Sequence, residues 1–189
     1  PQARKRRHLL LALGIVMLLT MLLVTALGPW IAPYDAIATS PDSLAGPSAE
    51  HWLGTDSIGR DVLSRLIIGG RTTLLITFVA VSLAVAAGLV LGLVSGYVGG
   101  LADELIMRAL DIVFAFPVFL LAIAVVAALG PTVPNLILTI AIVYTPIMAR
   151  VVRAPVLSVK CWDHVEAARS VGVGELRIAI VHVLPMVVS

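Results

Sequence analysis

The sequence has 189 residues, of which 60% are hydrophobic and 13% are charged, and its mean hydropathy is +1.07. Soluble globular domains carry about 25% charged residues, so this chain has more apolar surface than one water-facing core can bury, and lipid must solvate much of it. The net charge of +2 is too small to indicate nucleic-acid binding, and the single cysteine, Cys161, excludes an intrachain disulfide framework or a cysteine-rich metal site.

The first apolar segment follows a cluster of basic residues at positions 4–7. Between His8 and Asp35 lie 26 consecutive uncharged residues, enough to span a bilayer. A signal peptide also begins in this way, but its apolar part usually has about 7–15 residues, and no Ala-x-Ala cleavage pattern precedes Gly28. We therefore predict a cytoplasmic N-terminus over residues 1–8, a retained transmembrane helix over 9–28 and an extracytoplasmic loop over 29–71.

Two longer uncharged stretches predict three more spans. The first stretch is apolar from Thr72 to about Val94 and predicts the second helix. The other has 38 uncharged residues, too many for one span, and two prolines and a glycine at 130–135 indicate a turn near its middle. We expect it to contribute to helices over about 104–129 and 134–150.

The apolar run that begins at Val183 predicts the start of a fifth span. It has only seven residues, whereas about 20 are needed to cross a bilayer, so we interpret the sequence as a C-terminally truncated piece of a longer protein. The predicted fold class is all-α: a polytopic transmembrane bundle with about four complete spans, in which residues 72–189 form an incomplete core.

The placement of Lys and Arg predicts the orientation of the spans, because cytoplasmic loops carry an excess of positive charge. With the N-terminus inside, ten Lys and Arg residues lie on the inner side and three, Arg60, Arg65 and Arg71, lie outside. This topology places residues 151–182, which follow the fourth helix, in the cytoplasm.

The cytoplasmic segment 151–182 has the signals of a short helix. Asp163 is predicted to cap its N-terminus, and Glu166 falls three residues later, where it can complete a capping box. Ala167 and Ala168 offer a flat surface against which another backbone can pack, and Gly172 suits a left-handed C-cap. General physics leaves open whether this helix binds a partner or lies on lipid headgroups.

A second helix is predicted to begin at Gly174-Glu175, because a carboxylate is favourable in the first turn. Ile178, Val181 and His182 follow at helical spacing, and Leu184-Pro185 leads into the last apolar run.

The pattern Glu166-Ala167-Ala168-x-x-x-Gly172, followed by His182-Val183-Leu184-Pro185, resembles the EAA loop of ABC importer permeases. The resemblance implies a coupling helix that docks into a groove on a cytoplasmic ATPase. The ending is similar to that of peptide-type members, although His182 replaces the usual Ile and Met186 replaces a common Asn. The residues to which the resemblance assigns ATPase coupling are Asp163, Glu166, Ala167, Ala168, Gly172, Leu184 and Pro185.

The outer loop and the third-helix region carry the same resemblance. Residues 51–66 are similar to the sequence before the second span in C-type permeases of dipeptide, oligopeptide and nickel importers, although Trp52 stands where a Pro is expected. Positions 103–104 and 111–117 also match that family. The outer-loop motif residues are Gly54, Thr55, Asp56, Gly59, Arg60 and Asp61.

Each of these blocks also has a purely structural interpretation. Gly54-Thr55-Asp56 on its own is typical of a turn closed by an Asx-type hydrogen bond. The spacing of Asp61 and Arg65 favours a surface helical ion pair over a substrate contact.

Similar alternatives apply to the helices. Pro117 can kink an apolar helix. The four-residue spacing of Gly88, Gly92 and Gly96 favours close helix packing, within the chain or between subunits, over a substrate groove. The charged patch at the inner end of the third helix favours a solvated helix end over a gate; it comprises Asp103, Glu104, Arg108 and Asp111.

No catalytic constellation is present in the sequence, and it has no Gly-x-x-x-x-Gly-Lys-Ser/Thr phosphate loop, so we expect that the chain does not hydrolyse ATP itself. Together with this expectation, the resemblance implies a transport subunit that is not itself an enzyme and binds no cofactor. The resemblance implies that two partner ATPases use ATP and Mg²⁺. It also implies a second homologous permease subunit, and an extracytoplasmic substrate-binding protein that docks over about residues 35–70. The expected location is a bacterial or archaeal cell membrane.

Peptides are the expected substrates, with nickel chelates or another small solute as alternatives within the family. A channel or membrane enzyme of another class is the competing hypothesis. The uncharged interiors of the predicted helices disfavour an enzyme, because a membrane active site needs ionisable groups that face one another.

Overall fold

The computed structural model describes residues 2–188, with side chains from position 8 onward. Regular structure within this part of the chain is helical, and its one β-type pairing is an isolated bridge between Thr55 and Asp61. The all-α prediction is therefore confirmed. The helices are α1 Gln2–Ile31, α2 Val62–Val98, α3 Gly100–Phe114, α4 Val118–Leu129, α5 Val133–Val159, α6 Asp163–Ser170, α7 Glu175–Arg177, a π-helix Ile178–Val183 and α8 Leu184–Val188.

Three helices of the described chain are long and apolar enough to cross a membrane: α1 from His8, α2 and α5. A fourth span results if α3 and α4 together count as one. The side chains of α1 between Leu9 and Leu23 are largely exposed, which is the arrangement expected of a helix solvated by lipid. The helix ends differ from the predictions, because α2 begins ten residues before Thr72 and α5 continues nine residues beyond Arg150.

The described residues divide into two units, one ending at Leu75 and one beginning at Ile76. In the first unit, the hydroxyl groups of Thr20 and Thr25 donate to the carbonyl oxygens of Val16 and Met21, each at 2.8 Å. These bonds within α1 satisfy polar groups that lipid cannot solvate.

The second unit is organised by the contact of α2 with α5. An added Cβ at Gly92 would overlap the carbonyl oxygen of Ala149 and lie 2.8 Å from Val152 Cβ, and one at Gly96 would lie 2.8 Å from Val156 Cγ1. The glycine face of α2, which is Gly88, Gly92 and Gly96, therefore lets the backbones of α2 and α5 approach closely. The prediction that these glycines serve helix packing is confirmed for packing within the chain.

The third predicted helix is interrupted. α3 ends at Phe114, α4 begins at Val118, and their axes differ by 88°. Pro117 is the N-cap residue of α4, and its ring prevents the helix from continuing through this position. The continuous helix predicted over 104–129 is thus wrong, whereas the alternative that Pro117 deflects the chain is confirmed. The turn predicted at 130–135 is also confirmed, since α4 ends at Leu129 and α5 begins at Val133.

Two ion pairs join α3 to α5. Asp103 accepts hydrogen bonds from Arg153 at 2.7 Å and 2.6 Å, and from the hydroxyl of Ser95. Asp111 pairs with Arg150. The interpretation of the charged patch as a solvated helix end is therefore wrong for Asp103, whose side chain is 18% exposed. It holds for the exposed pair of Glu104 and Arg108, which are four residues apart.

An apolar cluster of the second unit brings α2, α5, α6 and the π-helix together. Its buried residues are Val156 and Val159 of α5, Val165 of α6, and Ile178 and Val183 of the π-helix. Leu93 and Tyr97 of α2 pack against this cluster. The segment after α5 is thus packed against the helices of the second unit.

We expect Gly92→Ala to destabilise the protein, because its methyl group would overlap the backbone of α5, and overpacking costs about 1–3 kcal/mol. The matched control is Gly69→Ala in the same helix, where an added Cβ meets nothing within 4 Å. The measurement is the melting temperature in detergent. Equal melting temperatures for the two variants would contradict the close contact of α2 with α5.

Candidate functional site

The helix predicted at the centre of the EAA loop, residues 151–182, is α6. It begins at Asp163, and its N-cap residue is Trp162, with an extended backbone and no side-chain capping bond. The capping box predicted for Asp163 and Glu166 is therefore wrong. Both carboxylates instead lie in the first turn, where they face the positive end of the helix dipole.

The C-terminus of α6 has the geometry that was predicted for Gly172. This residue has a φ of +81°, in the left-handed region that favours glycine. The N–H of Gly172 donates to the carbonyl of Arg169 at 3.0 Å, and the N–H of Val173 donates to that of Ala168 at 3.1 Å. This pair of bonds is a Schellman motif, and it ends the helix at a defined position.

α6 has one side chain that is buried completely and a broad exposed face. Val165 has no exposed surface and inserts into the apolar cluster, and Ala168 packs against the same cluster. Asp163, Glu166 and Ala167 are exposed. The two alanines of the motif therefore differ: Ala168 packs against the cluster, and Ala167 is exposed.

The exposed end of α6 is connected to α2 through Glu175. One carboxylate oxygen of Glu175 accepts a bond from Arg169 Nε at 2.8 Å, and the other accepts one from Arg169 Nη2 at 3.2 Å and one from the hydroxyl of Tyr97. The Arg169 guanidinium and the Tyr97 hydroxyl lower the pKa of Glu175 from 4.5 to about 2. The carboxyl group of Glu175 is therefore fully ionised at neutral pH.

The chain after α7 is helical as predicted, but its geometry differs. Residues Ile178–Val183 form a π-helix, in which hydrogen bonds join residues five apart. The wider turn buries Ile178, Ala179 and Val183 and leaves Val181 exposed, so the residues predicted at helical spacing, Ile178, Val181 and His182, lie on a π-helix.

The last two motif residues begin α8, outside α6. Leu184 is half-buried and lines an apolar cavity of about 520 Å³ between α2, α7 and the π-helix, together with Leu89, Leu93 and Ala179. Pro185 is exposed. Leu184 and Pro185 thus do not share the exposed face of α6, and their assignment to ATPase coupling stays a prediction.

The outer-loop motif lies in the first unit and organises the loop before α2. Asp56 Oδ1 accepts from the N–H groups of Ile58 and Arg60, each at 3.0 Å, so the predicted Asx-type turn is confirmed. Arg60 Nε donates to Asp56 Oδ2 at 2.8 Å, and Arg65 also pairs with Asp56. Hydrogen bonds from the Arg60 amide, the Arg60 guanidinium and the Ile58 amide hold the pKa of Asp56 well below its ordinary value.

Asp61 is the N-cap residue of α2. Its Oδ2 accepts from both the amide and the hydroxyl of Ser64, each at 2.7 Å, and its Oδ1 lies 2.9 Å from His51 Nδ1. Burial raises the pKa of Asp61, but these bonds from Ser64 and His51 outweigh it, so the net shift is downward. The predicted Asp61–Arg65 ion pair is wrong, because Asp61 serves the cap and Arg65 binds Asp56.

The remaining motif residues support the same loop. Gly54 and Gly59 have φ values of +76° and +77°, and an added Cβ would overlap the carbonyl oxygens of Ala45 and Ser40. The hydroxyl of Thr55 accepts from the Ala45 amide at 2.9 Å. The geometry of the motif is thus that of a folded loop, and its role toward a partner stays a prediction.

Among the connections of the second unit that sequence reasoning missed, three are long-range. These are the bond from Tyr97 to Glu175, the pair of Asp103 with Arg153, and the bond of 2.7 Å from Lys160 Nζ to the Gly96 carbonyl oxygen. Each joins residues 50 or more positions apart, so no local spacing indicates it. The sequence offered one indication of these connections, namely that Tyr97 directly follows Gly96 of the glycine face.

The fold and these sites define a multi-span helical membrane protein with an anchored helix on the segment that follows α5. Residues 88–189 match the model of the family described as binding-protein-dependent transport system inner membrane component. The chain belongs to this family, which confirms the resemblance drawn from the EAA loop.

Relatives with curated descriptions match nearly the whole chain. The glutathione transport system permease protein GsiD of Shigella flexneri serotype 5b is 46% identical over 187 residues, which are 98% of this chain and 61% of the relative. The same protein of Escherichia coli O6:K15:H31 is 43% identical, and the matched residues are again 98% of this chain and 61% of the relative. The dipeptide transport system permease protein DppC of Alkalihalophilus pseudofirmus is 41% identical over 181 residues, 95% of this chain and 60% of the relative. The chain thus spans about three fifths of the length of these relatives.

Gly172→Ala should loosen the end of α6, because a left-handed backbone costs a residue with a Cβ about 1–2 kcal/mol. Hydrogen exchange of the α6 amides should accelerate by about five- to thirtyfold. Gly174→Ala is the matched control, since Gly174 has a φ of −63° and open space around it. Identical exchange in the two variants would be inconsistent with the Schellman motif.

The carboxyl group of Glu175 should titrate well below an ordinary glutamate. Its pKa falls from 4.5 to about 2. The stability that the ionised carboxylate contributes is therefore present above pH 4.5 and is lost as the pH falls through about 2. Carboxyl ¹³C chemical shifts measure this titration, and Arg169→Gln should move the midpoint upward. A midpoint near 4.5 in the unsubstituted protein would contradict the bonds from Arg169 and Tyr97.

Proposed function

We propose that this chain is a permease subunit of an ATP-driven ABC importer, in which it forms part of the translocation path. The single observation that carries the proposal is the placement of α6. This helix presents Glu166 and Ala167 outward while Val165 fixes its opposite side in the apolar core. A helix held in this way can receive a force from a partner and pass it to the helices above it.

The proposed partners are two cytoplasmic ATPases, a second homologous permease subunit and an extracytoplasmic substrate-binding protein. ATP and Mg²⁺ are used by the ATPases, and this chain is not an enzyme and binds no cofactor of its own. The N-terminus lies in the cytoplasm, which puts α6 on the side of the ATPases and the folded loop around Asp56 on the side of the binding protein. Ten Lys and Arg on the inner side against three outside support this orientation.

Small peptides are the proposed substrates. The relatives named above are described as glutathione and dipeptide permeases, and glutathione is itself a modified tripeptide. These descriptions favour peptides over nickel chelates or other small solutes.

Glu166→Lys and Gly172→Leu, made in the full-length protein, should weaken its association with the ATPases without preventing insertion. The first reverses a charge on the exposed face of α6, and the second disturbs the helix end. Loss of one interface hot spot lowers affinity by about fivefold or more, measured as ATPase co-purified per permease.

The control for the charge change is Glu50→Lys in the outer loop, where the acidic residue is also exposed. It should leave the co-purified amount unchanged. Normal ATPase recruitment and normal transport in both α6 variants would refute the proposed role of this helix.

A further inference from the structure

Tyr97, Arg169 and Glu175 form a bridge between the EAA loop and α2 that neither family motif includes. Glu175 is the first residue of α7, Arg169 lies in the last turn of α6, and Tyr97 lies in the last turn of α2. We infer that these three residues are a latch that sets the orientation of α6 and passes its movement to α2. The inference rests on the proposed function, since it concerns how force that enters through α6 reaches the membrane helices.

The apolar anchor of α6 cannot by itself fix the direction of the helix. Val165 and Ala168 contact the cluster from the same side of α6, and apolar contact is non-directional, so these contacts alone leave a short helix free to pivot. The latch attaches α6 one turn further on, at Arg169, through bonds whose donors and acceptors have defined directions. The directional bonds at Arg169 define an orientation that the apolar contacts leave open.

The geometry of the Arg169–Glu175 contact further restricts the orientation of α6. Two nitrogens of the planar guanidinium donate to the two oxygens of one carboxylate, at 2.8 Å and 3.2 Å. Such a paired contact specifies the relative plane of the two groups as well as their distance. It therefore holds the end of α6 against the start of α7 across the Gly172 turn.

Tyr97 connects this pair to a rigid part of the protein. Its ring packs against the apolar cluster, its hydroxyl donates to Glu175, and it directly follows Gly96 of the glycine face. Lys160 Nζ also binds the Gly96 carbonyl oxygen, at 2.7 Å. A displacement of Glu175 is therefore applied to α2 at a point where α2 is held against α5.

The exposure of the latch indicates positioning rather than support of the fold. The side chains of Arg169 and Glu175 are 49% and 58% exposed, and ion pairs so accessible to water contribute little to stability. The pair of Asp103 and Arg153 is far less exposed, at 18% and 32%, and is better suited to holding the helices together. Loss of the latch should accordingly change coupling more than folding.

The test uses Tyr97→Phe, Glu175→Gln and the double variant in the full-length permease, assembled with its ATPases in lipid nanodiscs. The readout is the factor by which the liganded binding protein stimulates ATP hydrolysis. Each single variant should lose about two- to fivefold of this stimulation, the size of effect that one exposed ion pair can supply. The double variant should be no worse than the stronger single one, because both changes break the same connection. ATPase co-purification should remain at the unsubstituted level.

The control is Tyr144→Phe, which removes a hydroxyl from the exposed side of α5 and should leave the stimulation unchanged. Unchanged stimulation in both single variants, or losses that add in the double variant, would overturn the latch and leave the proposed function standing. Loss of co-purified ATPase would overturn it too, since the residues would then act in docking. If the unsubstituted permease recruits no ATPase, the proposed function fails and the latch with it.

Discussion

The close approach of α2 and α5 along Gly88, Gly92 and Gly96 is the contact on which the rest of the second unit depends. Lipid solvates apolar side chains about as well as another helix does, so helices associate in a membrane mainly through close van der Waals contact and hydrogen bonds. With no Cβ on this face, α2 lies against the backbone of α5 near Ala149. That placement brings Lys160 to the Gly96 carbonyl, and the cluster around Val156 forms on the same side.

The anchored EAA loop follows from this packing. Leu93 and Tyr97 of α2 cover the cluster that Val156 and Val159 begin, and the remaining space is filled by Val165 and the π-helix. The helix that presents Glu166 is therefore supported by residues that are distant in sequence but fixed relative to one another. A mechanical role requires such support, because force applied to a flexible loop is lost in its own motion.

Much of this structure follows from local chemistry that a sequence displays. Crossing a bilayer requires about 20 apolar residues, which locates the spans, and Gly172 was predictable because a left-handed helix end favours glycine. Asp163 was misassigned as a cap because its chemistry suits the position, whereas the extended backbone of Trp162 decides where α6 begins. The pair of Asp103 with Arg153 was not predictable, since the two residues are 50 positions apart and meet only after α3 and α5 pack.

The proposed function requires that one side of α6 face the ATPase, and disulfide cross-linking between the two proteins measures this. In the full-length protein with Cys161→Ser, a cysteine is introduced either at exposed Ala167 or at buried Val165, and single cysteines are placed along the groove of the ATPase. Rapid cross-linking is expected from Ala167 and very little from Val165. Equal cross-linking from both positions, or none from Ala167 while the complex remains assembled, would contradict the proposed function.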